Sequence, residues 1–142
     1  MARCLAKPYS VAADEMAAEP PAYRQSTEEG VRVLFAFGVT PAFFELEGDR
    51  ILPIVDILKD AFRDLEGRFG VKVLGTLDDD ETMVGPSLTW PWTCYILARA
   101  PDWQAARSVC NLLRETKVGD DRLWKFLRVE ARIGRPLFFG ES

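Results

Sequence analysis

The residues best suited to chemistry on a small molecule are a tyrosine, a glutamate and two arginines. Tyr95 lies in the β-branched and aromatic run 93–99, which predicts an interior strand. Arg128, Glu130 and Arg132 alternate, so in a strand they share one face. There an arginine could bind a carboxylate through two parallel hydrogen bonds, with Glu130 as base or ion-pair partner. The alternatives are an ion-pair ladder for the charged residues and pocket lining or dimer packing for Tyr95.

Two tryptophans precede the same strand. Trp90 and Trp92 flank Pro91, and their large apolar faces and N–H donors suit stacking on a flat aromatic ligand. The structural alternative is that both indoles anchor the long loop before the strand onto the sheet. Both interpretations stay open.

The chain has no histidine. This excludes Ser-His-Asp and Cys-His catalysis and zinc sites built on histidine. The sequence shows no phosphate-binding glycine loop, nucleotide fingerprint or metal cluster, and the acidic run 78–81 lacks the carboxylate spacing of a calcium loop. We therefore expect neither cofactor nor metal, and a solvated turn at the acidic run.

Composition and charge limit the partners and the compartment. The net charge of −4 argues against nucleic acid and anionic membranes, and no segment reaches the ~18 apolar residues of a membrane span. The three cysteines, an odd number, fit a reducing compartment, and Cys94 and Cys110 read as small buried hydrophobes. We expect a cytoplasmic protein.

The chain divides into an arm and a domain. Residues 1–29 are rich in Ala, Pro and Glu without a sustained period, which predicts a flexible N-terminal arm or, alternatively, an arm packed on a partner subunit. Residues 30–142 form one domain, for which hydrophobic periodicity predicts six elements. The strands are 31–40, 71–77, 93–99 and 123–133, and the helices are 52–69 and 102–116.

The order β-α-β-β-α-β predicts an α+β, split ferredoxin-like fold. In it a four-stranded antiparallel sheet carries both helices on one face, and the first and third strands are central. The side chains predicted to meet the helices are Val33, Phe35, Phe37, Val39, Cys94, Ile96, Ala98, Leu127, Val129 and Ala131.

The opposite face of the sheet is left uncovered in this plan. Period two assigns to it Leu34, Ala36, Leu74, Thr76, Tyr95, Leu97, Trp124 and Phe126, with Arg32, Arg99, Arg128, Glu130 and Arg132 toward its edges. Such an apolar patch exceeds what a monomer usually leaves open. A second copy related by a two-fold axis would cover it, forming a homodimeric barrel with a ligand pocket in each subunit.

This picture resembles the dimeric α+β barrel superfamily over about residues 31–133, on topology alone. A narrower resemblance rests on the runs 85–95 (GPSLTWPWTCY) and 110–116 (CNLLRET) and on the pair Leu123-Trp124. These look like small proteins encoded in bacterial indole-3-acetate degradation clusters. The resemblance implies a homodimer that acts on small aromatic compounds.

Three hypotheses follow. The first is a homodimer that binds a small aromatic metabolite, acidic in one variant of the hypothesis, between the sheet and the helices. It would serve aromatic-compound catabolism, such as indole-3-acetate degradation. The second is a cofactor-independent isomerase or monooxygenase that uses Tyr95, Glu130 and an arginine. The missing histidine counts against isomerases that rely on one. The position of Asn111, off the sheet-facing stripe of the second helix, counts against monooxygenases that activate oxygen with an Asn-Trp pair. The third is a protein-interaction module without a ligand.

Overall fold

The computed structural model describes residues 30–79 and 92–140. Predictions for the 1–29 arm, for Trp90 and for Asp80 and Glu81 of the acidic run fall outside these residues. The elements are β1 Val31–Val39, α1 Pro41–Phe44, α2 Gly48–Ala61, α3 Leu65–Phe69, β2 Lys72–Asp78, β3 Trp92–Ala100, α4 Trp103–Glu115, β4 Lys117–Val118, β5 Asp121–Arg122, a 3-10 turn Leu123–Lys125 and β6 Leu127–Gly134. Within the described ranges, no helix is long and apolar enough to cross a bilayer.

The main sheet has the predicted ferredoxin-like order. Its strands run β2-β3-β1-β6, every neighbouring pair is antiparallel, and β1 and β3 are central. The odd residues of β1 face the helices; Val33 and Phe35 are completely buried there. Alternation along β1 and β3 therefore identified the correct buried face, and the predicted fold class is confirmed.

Two connected hydrophobic clusters hold the helices on the sheet. The first joins β1, α3, β3 and α4 around Phe35 and Val109. The second joins α2, α4 and the segment before β6 around Ile54 and Leu123. Phe37 and Phe62 meet edge to face at 5.4 Å, a geometry that aromatic pairs favour.

The first predicted helix is two helices. It begins at Gly48, before the predicted start near Pro53. The proline is tolerated because the carbonyl that loses its partner belongs to Asp49, an exposed residue that water can reach. The helix breaks before Asp64, which has a φ of 48° and accepts a bond from the Gly67 amide at 3.0 Å. Gly70 ends α3 in the left-handed conformation.

The last strand begins four residues later than predicted. Residues Leu123 and Phe126 are 0% and 3% exposed, and this spacing of three buries both in a helical turn, whereas a strand would separate them onto opposite faces. Thr40 fixes the turn, because its amide donates to the Phe126 carbonyl at 3.0 Å and its hydroxyl donates to the Lys125 carbonyl at 2.6 Å.

A bulge shifts one half of β2. The register moves between Val73 and Gly75, so Thr76 pairs with Ile96 and lies on the helix side. The prediction that Thr76 lies on the uncovered face is wrong for this reason, and Leu74 has no partner in the register. Gly75 and Leu77 take the places on the uncovered face.

Candidate functional site

The uncovered face of the sheet, called the open face below, presents side chains in rows across the four strands. One row is Leu77, Tyr95, Ala36 and Glu130; the next is Gly75, Leu97, Leu34 and Arg132; the third is Lys72, Arg99, Arg32 and Gly134. The structure therefore brings together six of the predicted site residues, which are Leu34, Ala36, Tyr95, Leu97, Glu130 and Arg132. Ala36 is 3% exposed although it lies on this face, because larger side chains flank it.

Tyr95 is held by its hydroxyl. The Tyr95 Oη lies 3.1 Å from Asp79 Oδ2 and 3.1 Å from the Trp92 carbonyl, and donates to these acceptors. Partial burial raises the pKa of Tyr95, the hydrogen bond and negative charge of Asp79 raise it further, and Arg132 opposes the shift. Tyr95 is therefore a neutral phenol at pH 7, suited to donate a proton or hydrogen bond and unsuited to act as a base.

Asp79→Asn is expected to lower the pKa of Tyr95, because the neutral amide removes the charge that disfavours the phenolate. The measurement is a pH titration of ¹³C-labelled tyrosine by NMR, with Tyr95→Phe used to assign the signal. The wild-type phenol loses its proton only above the ordinary tyrosine pKa of 10.0. Since the unfolded chain ionises first, this residue's contribution to stability is complete below pH 10.0 and declines as the pH rises through the folded pKa. An unchanged titration in the variant would contradict the assigned contact.

Glu130 and Arg132, two of the residues predicted to share one face of the last strand, form an ion pair. Arg132 Nη2 lies 3.4 Å from Glu130 Oε2, and the two side chains are 64% and 43% exposed. An exposed pair of this kind contributes about 0–1 kcal/mol. Arg128 lies about 13 Å from Arg132 along the strand, opposite Gly38, and shares a separate surface with Trp124. The predicted common site for Arg128 and Arg132 is not formed within one subunit.

The aromatic residues predicted for this face are dispersed. Phe126 is buried in the second cluster, and Trp124 is 49% exposed with the Arg114 guanidinium over its ring at 5.2 Å. Neither lies on the open face, since the 3-10 turn takes both out of the sheet. Trp92 pairs with Gly38 beyond a bulge and is half-buried, and its carbonyl accepts from Tyr95.

A cavity of about 340 Å³, called the sheet–helix cavity below, lies between α2 and the sheet. Its walls are mainly apolar, and it is lined by Phe37, Gly38, Val39, Leu58, Lys59, Phe62, Thr76, Leu77, Asp78, Thr93, Cys94, Tyr95, Ile96 and Leu127. The sequence placed many of these side chains in a filled core. A ligand site between the sheet and the helices was predicted, but the residues that line this cavity were not, because they depend on how closely α2 approaches the bulged edge of the sheet.

The two described cysteines behave as small apolar residues. Cys110 is partly buried on α4, and burial raises the pKa of its thiol, which keeps it in the unreactive protonated form. Cys94 lines the sheet–helix cavity, with its Sγ 3.6 Å from Thr93 Oγ1. Within residues 30–79 and 92–140, no three His, Cys, Asp or Glu side chains are arranged to hold a metal ion.

A groove of about 450 Å³, called the arginine groove below, lies on the open face between the sheet and the C-terminal segment 135–140. It is lined by Arg32, Leu34, Leu97, Arg132, Ile133, Gly134, Arg135, Pro136, Leu137, Phe139 and Gly140. Three of the predicted site residues, Leu34, Leu97 and Arg132, lie here. Sequence reasoning missed Arg135 and Phe139, since the segment after the last strand has no period that fixes its path.

Comparisons with known proteins add little to these observations. No family model matches the sequence, and no curated protein is significantly similar to it. Among solved structures, the chain is similar to a candidate chlorite dismutase, at 21% identity and a TM-score of 0.45, over 75% of this chain and 43% of that one. The chain thus spans less than half of that structure. At these values the likeness carries no argument about activity or ligand.

Proposed function

We propose that this protein is a homodimeric binding protein for a small aromatic metabolite, held in the sheet–helix cavity. The observation that carries the proposal is the cavity itself, whose volume of about 340 Å³ falls within the range of small-molecule sites. The fold alone would not support a function.

The walls of the cavity favour a flat apolar ligand. Phe37 is 8% exposed and meets Phe62 edge to face, so a bound ring would contact two phenyl groups at its inner end. Leu58 and Ile96 extend the apolar surface, and Thr93 adds a hydroxyl. A partly buried hydroxyl of this kind can orient a ligand that has one hydrogen-bonding group.

The charged residues of the cavity lie at its mouth. Lys59 and Asp78 are both exposed, so neither forces a buried charge on the ligand. An aromatic compound with a neutral ring system is therefore the best match. The resemblance of the 85–95 run to proteins of indole-3-acetate degradation clusters supports an indole compound and a role in aromatic-compound catabolism.

The open face supports the homodimer. Leu97 is 38% exposed and Leu77 is 61% exposed there, and the adjoining C-terminal segment exposes Leu137, Phe138 and Phe139 by 67%, 82% and 61%. A contiguous apolar patch of this kind marks an interaction site. A second copy placed face to face would cover the patch through the same residues on both subunits.

The competing enzyme hypothesis has one supporting observation. Tyr95 and Glu130 flank Ala36 from opposite sides in one row, so a molecule above Ala36 could meet an acid and a carboxylate. The phenol would be the proton donor and Glu130 the base. Glu130→Gln separates the hypotheses, because a binding protein keeps its ligand affinity, whereas an enzyme of this kind loses turnover.

The test of the binding proposal compares two variants that each add a phenyl ring to β2. One ring is added at a residue that lines the cavity and the other at a residue that does not. Thr76→Phe adds a ring at the mouth of the cavity, and Leu74→Phe adds one on the same edge strand outside the lining residues. Calorimetric titration with indole is expected to show binding to wild type and a Kd raised about 10-fold or more by Thr76→Phe, a loss of about 1.4 kcal/mol. Leu74→Phe should leave the Kd within about 2-fold, a difference below 0.5 kcal/mol.

Both substitutions are at exposed positions, so both variants are expected to fold, and their NMR spectra would verify this. The proposal fails if wild type binds no indole, or if the two variants weaken binding equally. A wild type that forms dimers but binds neither indole nor indole-3-acetate would favour the protein-interaction module.

A further inference from the structure

We propose that the arginine groove is a second binding site, specific for the carboxylate group of an apolar organic acid. It lies on the open face, on the opposite side of the sheet from the sheet–helix cavity. The inference therefore does not rest on the ligand proposed for that cavity. The groove shares Leu97, Leu137 and Phe139 with the patch proposed to form the homodimer, so in the dimer its ligand lies at the interface.

The groove combines cations with an apolar surface. Arg32, Arg132 and Arg135 line it together with Leu34, Leu97 and Phe139. None of the described residues that line it is Asp or Glu, although the whole chain has a net charge of −4. A ligand that fits both features has an acidic group and an apolar body.

The register concentrates positive charge at this end of the sheet. Lys72 lies opposite Arg99, and Arg99 lies opposite Arg32, so three cations occupy adjacent strands on one face. Of these three, Arg32 lines the groove.

The same row leaves room for the anion. Arg32 lies opposite Gly134 on its other side, and a Cβ added at Gly134 would meet no atom within 4 Å. Arg132 is two residues from Gly134 and diagonal to Arg32, at a separation of roughly 7–8 Å between Cα atoms. The missing side chain thus leaves open space opposite Arg32, on the strand that carries Arg132.

The geometry of the guanidinium group favours a carboxylate as the ligand's acidic group. The planar guanidinium group offers parallel N–H donors that match the two oxygens of a carboxylate. Arg132 already contacts Glu130 at 3.4 Å through exposed side chains, a long and weak pair. Its remaining donors, and this contact itself, can serve a ligand carboxylate.

The experiment compares arginines on one strand and one face. Calorimetric titration with benzoate is expected to show binding to wild type, and Arg132→Gln is expected to raise the Kd about 10-fold or more, as loss of a charge-assisted hydrogen bond would. Arg128→Gln is the matched control, because Arg128 lies on β6 outside the groove. It should leave the benzoate Kd within about 2-fold, since it removes the same net charge but no contact.

Further probes separate the possible explanations. Benzamide has the same ring without the charge and is expected to bind at least about 10-fold more weakly than benzoate. The proposal is overturned if benzamide binds as well as benzoate, if inorganic phosphate competes equally, or if Arg128→Gln weakens binding as much as Arg132→Gln. It is also overturned if Arg132→Gln loses benzoate only by dissociating the dimer, as measured by light scattering.

The proposals for the sheet–helix cavity and for the arginine groove can be refuted separately. Thr76→Phe, which fills the sheet–helix cavity, is expected to leave benzoate binding unchanged, and Arg132→Gln is expected to leave indole binding unchanged. Loss of benzoate binding in Thr76→Phe would place the carboxylate ligand in the cavity and would overturn the inference for the groove.

Discussion

Phe35→Ala is expected to lower the free energy of unfolding by about 3–5 kcal/mol, the range for removing a buried phenylalanine ring. Phe35 is 0% exposed in the centre of β1, where it lies opposite Ile96 on β3 and Ala131 on β6. All three strands meet at this residue, so the cavity left by the ring cannot be closed by moving one element. Denaturant titration followed by circular dichroism measures the change.

The matched control for Phe35→Ala is Phe44→Ala. Phe44 is 75% exposed on α1, so the same substitution there should change stability by no more than about 0.5 kcal/mol. A loss below about 1.5 kcal/mol in Phe35→Ala would show that the core around β1 can relax. It would contradict the assignment of β1 as the centre of the fold.

The central strands could be predicted because they have only one way to bury their apolar side chains. Val33, Phe35 and Phe37 share one face of β1, and a shift of one residue would expose all three. The second long helix was equally well defined, since Asp102 accepts a bond from the Ala105 amide at 2.8 Å, as expected of an N-cap.

The errors lie where local and long-range interactions compete. The aromatic and apolar residue types of 123–126 are compatible with a strand or a helical turn, and the bonds from Thr40, far away in sequence, hold the turn that buries both Leu123 and Phe126. The bulge near Leu74 changes the face of Thr76 and has no composition signal of its own. Asp64 adopts a left-handed conformation that is uncommon for a residue with a side chain.

The residues of the candidate site could be predicted only where the register of the strands could be predicted. Leu34, Leu97 and Arg132 were placed on one face by alternation along their own strands, and the structure adds that they lie in one row. The arginine groove also needs Arg135 and Phe139, whose positions depend on how the chain turns after Gly134. No periodic pattern describes such a turn, so the groove appears only in three dimensions.

Leu97→Arg is expected to dissociate the proposed homodimer, raising its dissociation constant about 100-fold or more, which corresponds to about 2.8 kcal/mol. Leu97 lies in the middle of the open face between Leu34 and Gly75, and an arginine there places a desolvated charge in the apolar patch of both copies. Arg132 lies in the same row and adds repulsion. Sedimentation velocity over a range of protein concentrations measures the equilibrium.

The control for Leu97→Arg is a leucine on the other layer of the molecule. Leu52 is 71% exposed on α2, so Leu52→Arg adds the same charge without touching the open face and should leave the dimer intact. Leu97 is itself 38% exposed, so its replacement should not unfold the isolated subunit, and circular dichroism verifies this. A folded Leu97→Arg that remains a dimer would place the interface elsewhere, whereas wild type that sediments at the 16.0 kDa of one chain would refute the dimer itself. Because the sheet–helix cavity is built within one subunit, indole binding should persist in the dissociated variant, and this separates the role of the cavity from that of the interface.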